Sequence, residues 1–195
     1  MFRLGLTGSI ATGKSTVLQA FADLGAHVFS ADAAVHELYA GPAVEAVEQL
    51  FTGVTHDGVV DRTRLSAALA AAPERIGELE ALIHPMVRQR IRAFMDAAEA
   101  AGAFLSVVEV PLLFESGYDY GFDAVAVTAC DPAEQRRRAL VRPGMSVEKL
   151  ETVLARQMPQ AEKRERADFV FDTSHSIDAT RAEVEAVVAQ IRAQG

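Results

Sequence analysis

Gly8-Ser9-Ile10-Ala11-Thr12-Gly13-Lys14-Ser15 satisfies the pattern G-x-x-x-x-G-K-[ST], and the residues on either side decide how it is read. Before it, Phe2-Arg3-Leu4-Gly5-Leu6-Thr7 is a short apolar run with strand character. After it, Ser15 to Leu24 has the spacing of a helix. A strand turning through glycines into a helix N-terminus is a cradle for phosphate. Gly8 and Gly13 let the backbone curl so that successive N–H groups, those around Ala11 and Thr12 included, point inward at anionic oxygens. The helix N-terminus, with Ser15 and Thr16 in its first turn, adds partial positive charge. Lys14 is placed to reach the β and γ phosphates of a nucleotide, and the Ser15 hydroxyl to ligate Mg²⁺. With this composition the pattern is expected by chance about 0.001 times in such a chain.

Outward from this loop, short apolar runs alternate with helical patterns, which predicts a parallel sheet covered by helices. Ala26-His27-Val28-Phe29 reads as a second strand, with Asp32 as a cap for a helix through Tyr39. Pro42 is expected at the first position of the next helix. From Asp57 to about Ala101 the pattern is helical, divided at Asp61, Pro73 and Pro85, and contains no strong strand. This stretch reads as an all-helical insertion. Phe104 to Val110 is a β-branched run typical of a buried parallel strand, and Ala124 to Val127 is another. Asp131-Pro132-Ala133-Glu134 starts a helix that Pro143-Gly144 stops, and Ser146 begins the next. Phe169-Val170-Phe171 gives the last strand, and Ser176 to Arg192 the closing helix.

The balance of 19 Lys plus Arg against 27 Asp plus Glu leaves a net charge of −8, which disfavours polyanion and anionic-membrane partners. The N-terminal apolar stretch is broken by Arg3 and lacks the plan of a signal peptide, so the expected setting is cytoplasmic. A single cysteine, Cys130, cannot form an internal disulfide. Asn is absent, which excludes the Asn-Lys-x-Asp element of a guanine-reading GTPase. The remaining reading is a small kinase that phosphorylates a bound metabolite. Asp32 follows the second strand at the carboxyl end of the sheet, where α/β proteins bind ligands. It reads there as a helix cap and as the carboxylate beside an acceptor hydroxyl, two compatible roles. Glu109 ends the buried third strand and is a candidate, with Ser15, for the Mg²⁺ environment. Arg136, Arg137, Arg138, Arg142 and Arg156 supply cations. Arg138 and Arg142 share one helix face, and Arg142 borders Pro143-Gly144, the hinge expected of a lid.

At this point the chain resembles the dephospho-coenzyme A kinases. The matching elements, in family order, are Gly5-Leu6-Thr7-Gly8, Ser30-Ala31-Asp32, Leu82-Ile83-His84-Pro85 and Val110-Pro111-Leu112-Leu113-Phe114-Glu115. They continue with Gln135-x-x-Arg138-x-x-x-Arg142, Gln157-Met158-Pro159 and Lys163-Arg164-x-x-Ala167-Asp168. The resemblance implies a three-layer α/β P-loop NTPase core with a parallel five-stranded sheet. That core would comprise residues 1–40, 103–135 and 167–195, with a helical acceptor-binding insertion at 41–102 and a short helical lid at 136–166. It implies transfer of the γ-phosphoryl of ATP, with Mg²⁺, to the ribose 3′-hydroxyl of dephospho-coenzyme A. Asp32, Lys14, Arg142 and Arg138 would be catalytic. His84, Arg88, Leu113, Phe114 and Glu115 would line the acceptor with Asp32. Where many members carry Asn after the last strand, this chain has Asp172-Thr173-Ser174, which places Thr173 on the nucleotide side. Two alternatives stay open from sequence: a kinase of another small metabolite or nucleoside monophosphate, and a non-catalytic ATP-binding module. The oligomeric state is not legible.

Overall fold

A computed structural model describes residues 1–194. Along the chain the elements are β1 (Phe2–Gly8), α1 (Lys14–Asp23), β2 (His27–Ser30), α2 (Ala31–Tyr39), α3 (Val44–Leu50), β3 (Thr55–His56), β4 (Val59–Val60), α4 (Arg62–Ala71) and α5 (Ile76–Ala100). Then follow β5 (Leu105–Glu109), α6 (Leu113–Ser116), β6 (Ala124–Ala129), α7 (Pro132–Leu140), α8 (Val147–Ala155), α9 (Gln160–Glu165), β7 (Phe169–Asp172) and α10 (Ile177–Gln194). They group into two compact bodies, residues 1–30 with 95–194, and residues 31–94.

The first body is built on a five-stranded sheet in the order β2-β5-β1-β6-β7, every neighbouring pair parallel. The anticipated three-layer α/β architecture is therefore present. Leu4 and Leu6 of β1, with Leu105 and Val107 of β5 and Phe171 of β7, form a core with Val17 and Phe21 of α1 and Val184, Val188 and Ile191 of α10. Each such side chain contributes about 1.5–3 kcal/mol on burial. The Phe21 and Phe171 rings meet edge to face, centroids 5.7 Å apart. On the other face of β1, a Cβ at Gly5 would lie 2.5 Å from the Phe122 ring, so only glycine admits that ring. Because parallel strands point the same way, Gly8, Ser30, Glu109, Ala129 and Asp172 all end at the same edge of the sheet.

Capping chemistry sets the helix starts of this body as expected. The Asp131 carboxylate accepts the N–H groups of Ala133 and Glu134 at 2.8 and 3.2 Å, and the Ser146 hydroxyl accepts that of Lys149 at 3.3 Å. The helix after Asp131 ends at Leu140, three residues ahead of Pro143.

The second body, residues 31–94, departs from the sequence reading at four points. Asp32 does not cap α2; the helix begins at Ala31, so Asp32 lies in its first turn. Pro42 is not the first helical residue, because α3 starts at Val44 after Ala43. The stretch read as helical from Asp57 opens on a hairpin, β3 pairing antiparallel with β4. Asp57 and Gly58, with φ of 50° and 78°, are the two central residues of its turn, the pair of positive angles that a two-residue hairpin requires. Asp61, read only as a division of that stretch, caps α4, accepting from Thr63 and Arg64. Last, Pro85 does not divide the long helix; α5 runs through it. An internal proline costs about 3 kcal/mol. Against that, Leu79, Ile83, Val87, Ile91, Met95 and Ala98 recur every three or four residues and are all buried. Burying this stripe outweighs the break. Ala81, whose carbonyl loses its helical donor at Pro85, lies on the exposed side.

Candidate active site

The phosphate loop is held in one shape. Gly8 has φ 154°, and a Cβ there would stand 2.2 Å from the Thr128 hydroxyl and 2.7 Å from its carbonyl oxygen. Gly13 has φ 85° and forms the left-handed turn from which α1 starts. Between them Ala11 also has a positive φ, 61°, which costs an L-residue roughly 1–2 kcal/mol. Packing sustains that strain, because Ala11 is buried with Ala139 of α7 and Leu150 of α8. The Thr12 hydroxyl is fully inside, donating to the Ser9 carbonyl and paired with the Thr128 hydroxyl, both at 2.8 Å. Thr12 therefore serves the loop through its backbone. Ser15 is exposed and Thr16 half-buried in the first turn of α1. The Lys14 ammonium spans the loop mouth, donating to the carbonyls of Gly8 at 2.9 Å and Ser9 at 3.1 Å.

Two glutamines clamp the loop at Ile10. Its N–H donates to Gln157 Oε1 at 2.9 Å, and its carbonyl accepts from Gln135 Nε2 at 2.8 Å. Gln160 Nε2 donates to Gln135 Oε1, and Gln160 Oε1 accepts from the Cys130 N–H, so each amide is oriented by the next. The motifs Gln135-x-x-Arg138 and Gln157-Met158-Pro159 drew attention to these residues, but no role for them was apparent from sequence.

A second brace comes from the loop after β7. Thr173 is buried, and its hydroxyl donates to the Thr12 carbonyl at 2.9 Å and lies 3.3 Å from that of Ala129. Its side chain packs on Gly13, where a Cβ would meet it at 3.1 Å. Arg138 fixes Thr173 in turn, donating to its carbonyl at 2.7 Å and its hydroxyl at 3.2 Å, while its Nε donates to Glu134 at 2.7 Å. Arg137 donates to Glu134 as well. The hydrogen bonds from Arg137 and Arg138 hold the Glu134 carboxyl at a pKa of about 2. Arg142 differs sharply from Arg138. It is exposed in the turn beyond α7, and its guanidinium bonds to none of the described residues.

Glu109 is buried at the end of β5, paired in register with Leu6 of β1 and Ser30 of β2. Ser15 and Glu109 offer hard oxygen donors, and among the described residues no group of three or more His, Cys, Asp or Glu side chains gathers to hold a metal. A sparse donor set fits Mg²⁺, which keeps several waters and takes phosphate oxygens as ligands. After β5, Leu113 and Phe114 border a cavity of about 220 Å³ with Tyr118, Tyr120 and Phe122. Glu115 Oε1 accepts from the Lys163 ammonium and from the Met158 N–H, both at 2.8 Å. Burial pushes the Glu115 carboxyl up, but the bonds from Lys163 and Met158 outweigh it and leave the pKa below the usual range.

The second body carries the other expected residues. Asp32 is exposed, and its carboxylate bonds to none of the described residues. No residue separates β2 from α2, so Asp32 follows the strand end by two positions. His84 is exposed on α5, with the half-buried Arg88 one turn further on.

Known proteins share this arrangement along nearly its whole length. A family model described as dephospho-CoA kinase matches residues 2–179. A dephospho-CoA kinase of Rhodopseudomonas palustris (strain HaA2) is 50% identical over 188 residues, covering 96% of this chain and 94% of that one. Among solved structures, a protein of Thermus thermophilus superposes with a TM-score of 0.80 at 33% identity, covering 97% of each chain. A dephospho-CoA kinase from Campylobacter jejuni gives 0.68 at 27% identity, over 97% of this chain and 96% of that one. A braced phosphate loop on a five-stranded parallel sheet, joined to this extent of identity, leaves one assignment: the chain belongs to the dephospho-CoA kinase family.

Proposed function

We propose that this chain transfers the γ-phosphoryl group of ATP to the ribose 3′-hydroxyl of dephospho-coenzyme A, releasing coenzyme A and ADP, the last step of coenzyme A synthesis. The observation that carries the reading is the phosphate loop, clamped at Ile10 and braced at Thr12, with Lys14 across its mouth. The 3′-oxygen attacks the γ-phosphorus, forming a new O–P bond as the bond to the β,γ-bridging oxygen breaks. ADP leaves with that electron pair, and the hydroxyl proton passes to the Asp32 carboxylate. Lys14 and Arg142 face the charge that spreads over the transferring group, and Arg138 acts one step back through Thr173. Backbone N–H groups from Gly8 through Thr16 hold the phosphates. Mg²⁺ bound with the nucleotide supplies positive charge to the phosphate oxygens; the Ser15 hydroxyl and, through water, Glu109 would hold it.

Residues 41–102 serve as the acceptor-binding insertion, with His84 and Arg88 on α5, and Leu113, Phe114 and Glu115 are further acceptor-binding residues. Residues 136–166 serve as the lid. The enzyme works in the cytoplasm, a reading supported by its lone cysteine; among the described residues no helix is long and apolar enough to cross a membrane.

The test is ADP release with dephospho-coenzyme A and AMP side by side, with the product examined for a 3′-phosphate. Faster turnover on AMP overturns the reading. For Asp32→Asn, kcat is expected to fall roughly 10²–10⁴-fold. A loss within about threefold removes Asp32 from the proton-accepting role.

A further inference from the structure

Lys163 has none of its side chain exposed, an unusual state for an ammonium on a six-residue helix. A buried ammonium persists only where it is paired. Its partners are Glu115 Oε1 at 2.8 Å and the Pro111 carbonyl at 3.5 Å. These two residues bracket Leu113 and Phe114. The segment is tied at both ends: the Thr7 hydroxyl also donates to Pro111, at 3.1 Å, and Thr7 immediately precedes Gly8. Two and three positions before α9 begins, the same stretch makes two more ties. The Met158 N–H holds Glu115, and the neighbouring Gln157 holds Ile10 of the phosphate loop.

Within residues 157–163, therefore, one short piece of chain grips both the loop that carries the phosphate cradle and the loop that carries Leu113 and Phe114. Packing does not explain the choice of a charge pair. Glu115 Oε2 is buried and hydrogen-bonded by none of the described residues, so the pair leaves one oxygen unsatisfied. A neutral pair of similar volume would satisfy the site at least as well.

We infer that Lys163 and Glu115 are positioning residues for the acceptor substrate: their ion pair fixes the Pro111–Glu115 loop at a set height beside the phosphate loop. The inference rests on the reading of Leu113 and Phe114 as acceptor-lining residues. The pair touches no reacting atom. Its effect falls on where the acceptor is held, whereas the phosphate loop is braced through Gln135, Gln157 and Thr173.

The test uses the full chain carrying Glu115→Gln together with Lys163→Met, so that no unpaired charge is left buried and a Gln oxygen can still accept the Met158 N–H. Steady-state kinetics are measured against each substrate in turn, with Phe114→Ala in parallel. The expected result is a rise of about tenfold in KM for dephospho-coenzyme A with KM for ATP within about twofold of the parent. Phe114→Ala is expected to raise the acceptor KM as well. If Phe114→Ala does so and the double variant leaves it unchanged, or moves both KM values equally, the positioning role is overturned while the acceptor-loop reading stands. If Phe114→Ala itself leaves the acceptor KM unchanged, the acceptor-loop reading falls and the positioning role with it. Should the double variant not fold, hydrogen exchange on the parent decides. Added dephospho-coenzyme A, without nucleotide, is expected to slow exchange at the Met158 amide at least about threefold, and unchanged exchange overturns the inference.

Discussion

The phosphate loop and the turn carrying Arg142 both bear cations that we propose act on one phosphoryl group, yet they are built in opposite ways. Ser9, Ala11 and Thr12 are buried, Ile10 is clamped on both sides of its peptide group, and Thr12 is braced from the far end of the chain. Val141 to Gly144 is exposed throughout, and the Arg142 guanidinium bonds to none of the described residues. The first region is preorganised: its donors are aimed before any ligand arrives, which is where electrostatic catalysis gains most. The second is exposed and has few contacts to lose, which suits the lid role proposed for it. The sequence presents Arg138 and Arg142 as equivalent, four apart on one face. The structure separates them into a strut and a free hand.

Substitutions at the two regions break or sharpen this contrast. Lys14→Ala is expected to have the largest effect, lowering kcat roughly 10³-fold in the ADP-release assay; a near-normal rate refutes the phosphate-loop assignment. Arg142→Ala is expected to lower kcat roughly 10²-fold, with unfolding free energy in urea within about 0.5 kcal/mol of the parent. A stability loss comparable to a core substitution shows that the turn is not free. Gln157→Leu is expected to do the reverse: it orphans the Ile10 N–H, destabilising by about 1–3 kcal/mol, and raises KM for ATP more than it changes KM for the acceptor.

The smallest effect is a pH dependence. Because its folded pKa, about 2, lies below its ordinary value of 4.5, Glu134 stabilises the fold fully above about pH 4.5, and that contribution fades as pH falls towards 2. The urea midpoints of the parent and Glu134→Gln are expected to differ at pH 7 and converge near pH 2. A constant gap across that range removes the Arg137 and Arg138 bonds as its cause.

What was legible in the sequence follows from how local the physics is. The phosphate loop, the helix starts at Asp131 and Ser146, and the alternation of strands with helices are written within a few residues each, and all were readable. The hairpin was missed because its strands are two residues long, too short to show alternation, although Asp57-Gly58 carried the turn signal. Pro85 misled because a local rule was overridden by a stripe of apolar residues spread over five turns. The clamps on Ile10 join residues 147 and 125 positions apart, and no periodicity announces such a bond. Lys163 in a charged run reads as a solvated side chain, and only the fold reveals that it is enclosed.

The Thr173 bond to Thr12 crosses 161 positions. The phosphate loop is thus complete only when two distant parts of the chain have met. Until β7 and the turn behind it have joined the sheet, residues 8–15 lack the hydroxyl that supports Thr12 and the side chain that packs on Gly13. A chain cut before residue 173 carries the whole motif without this brace, so the eight residues of the pattern do not by themselves make the braced loop.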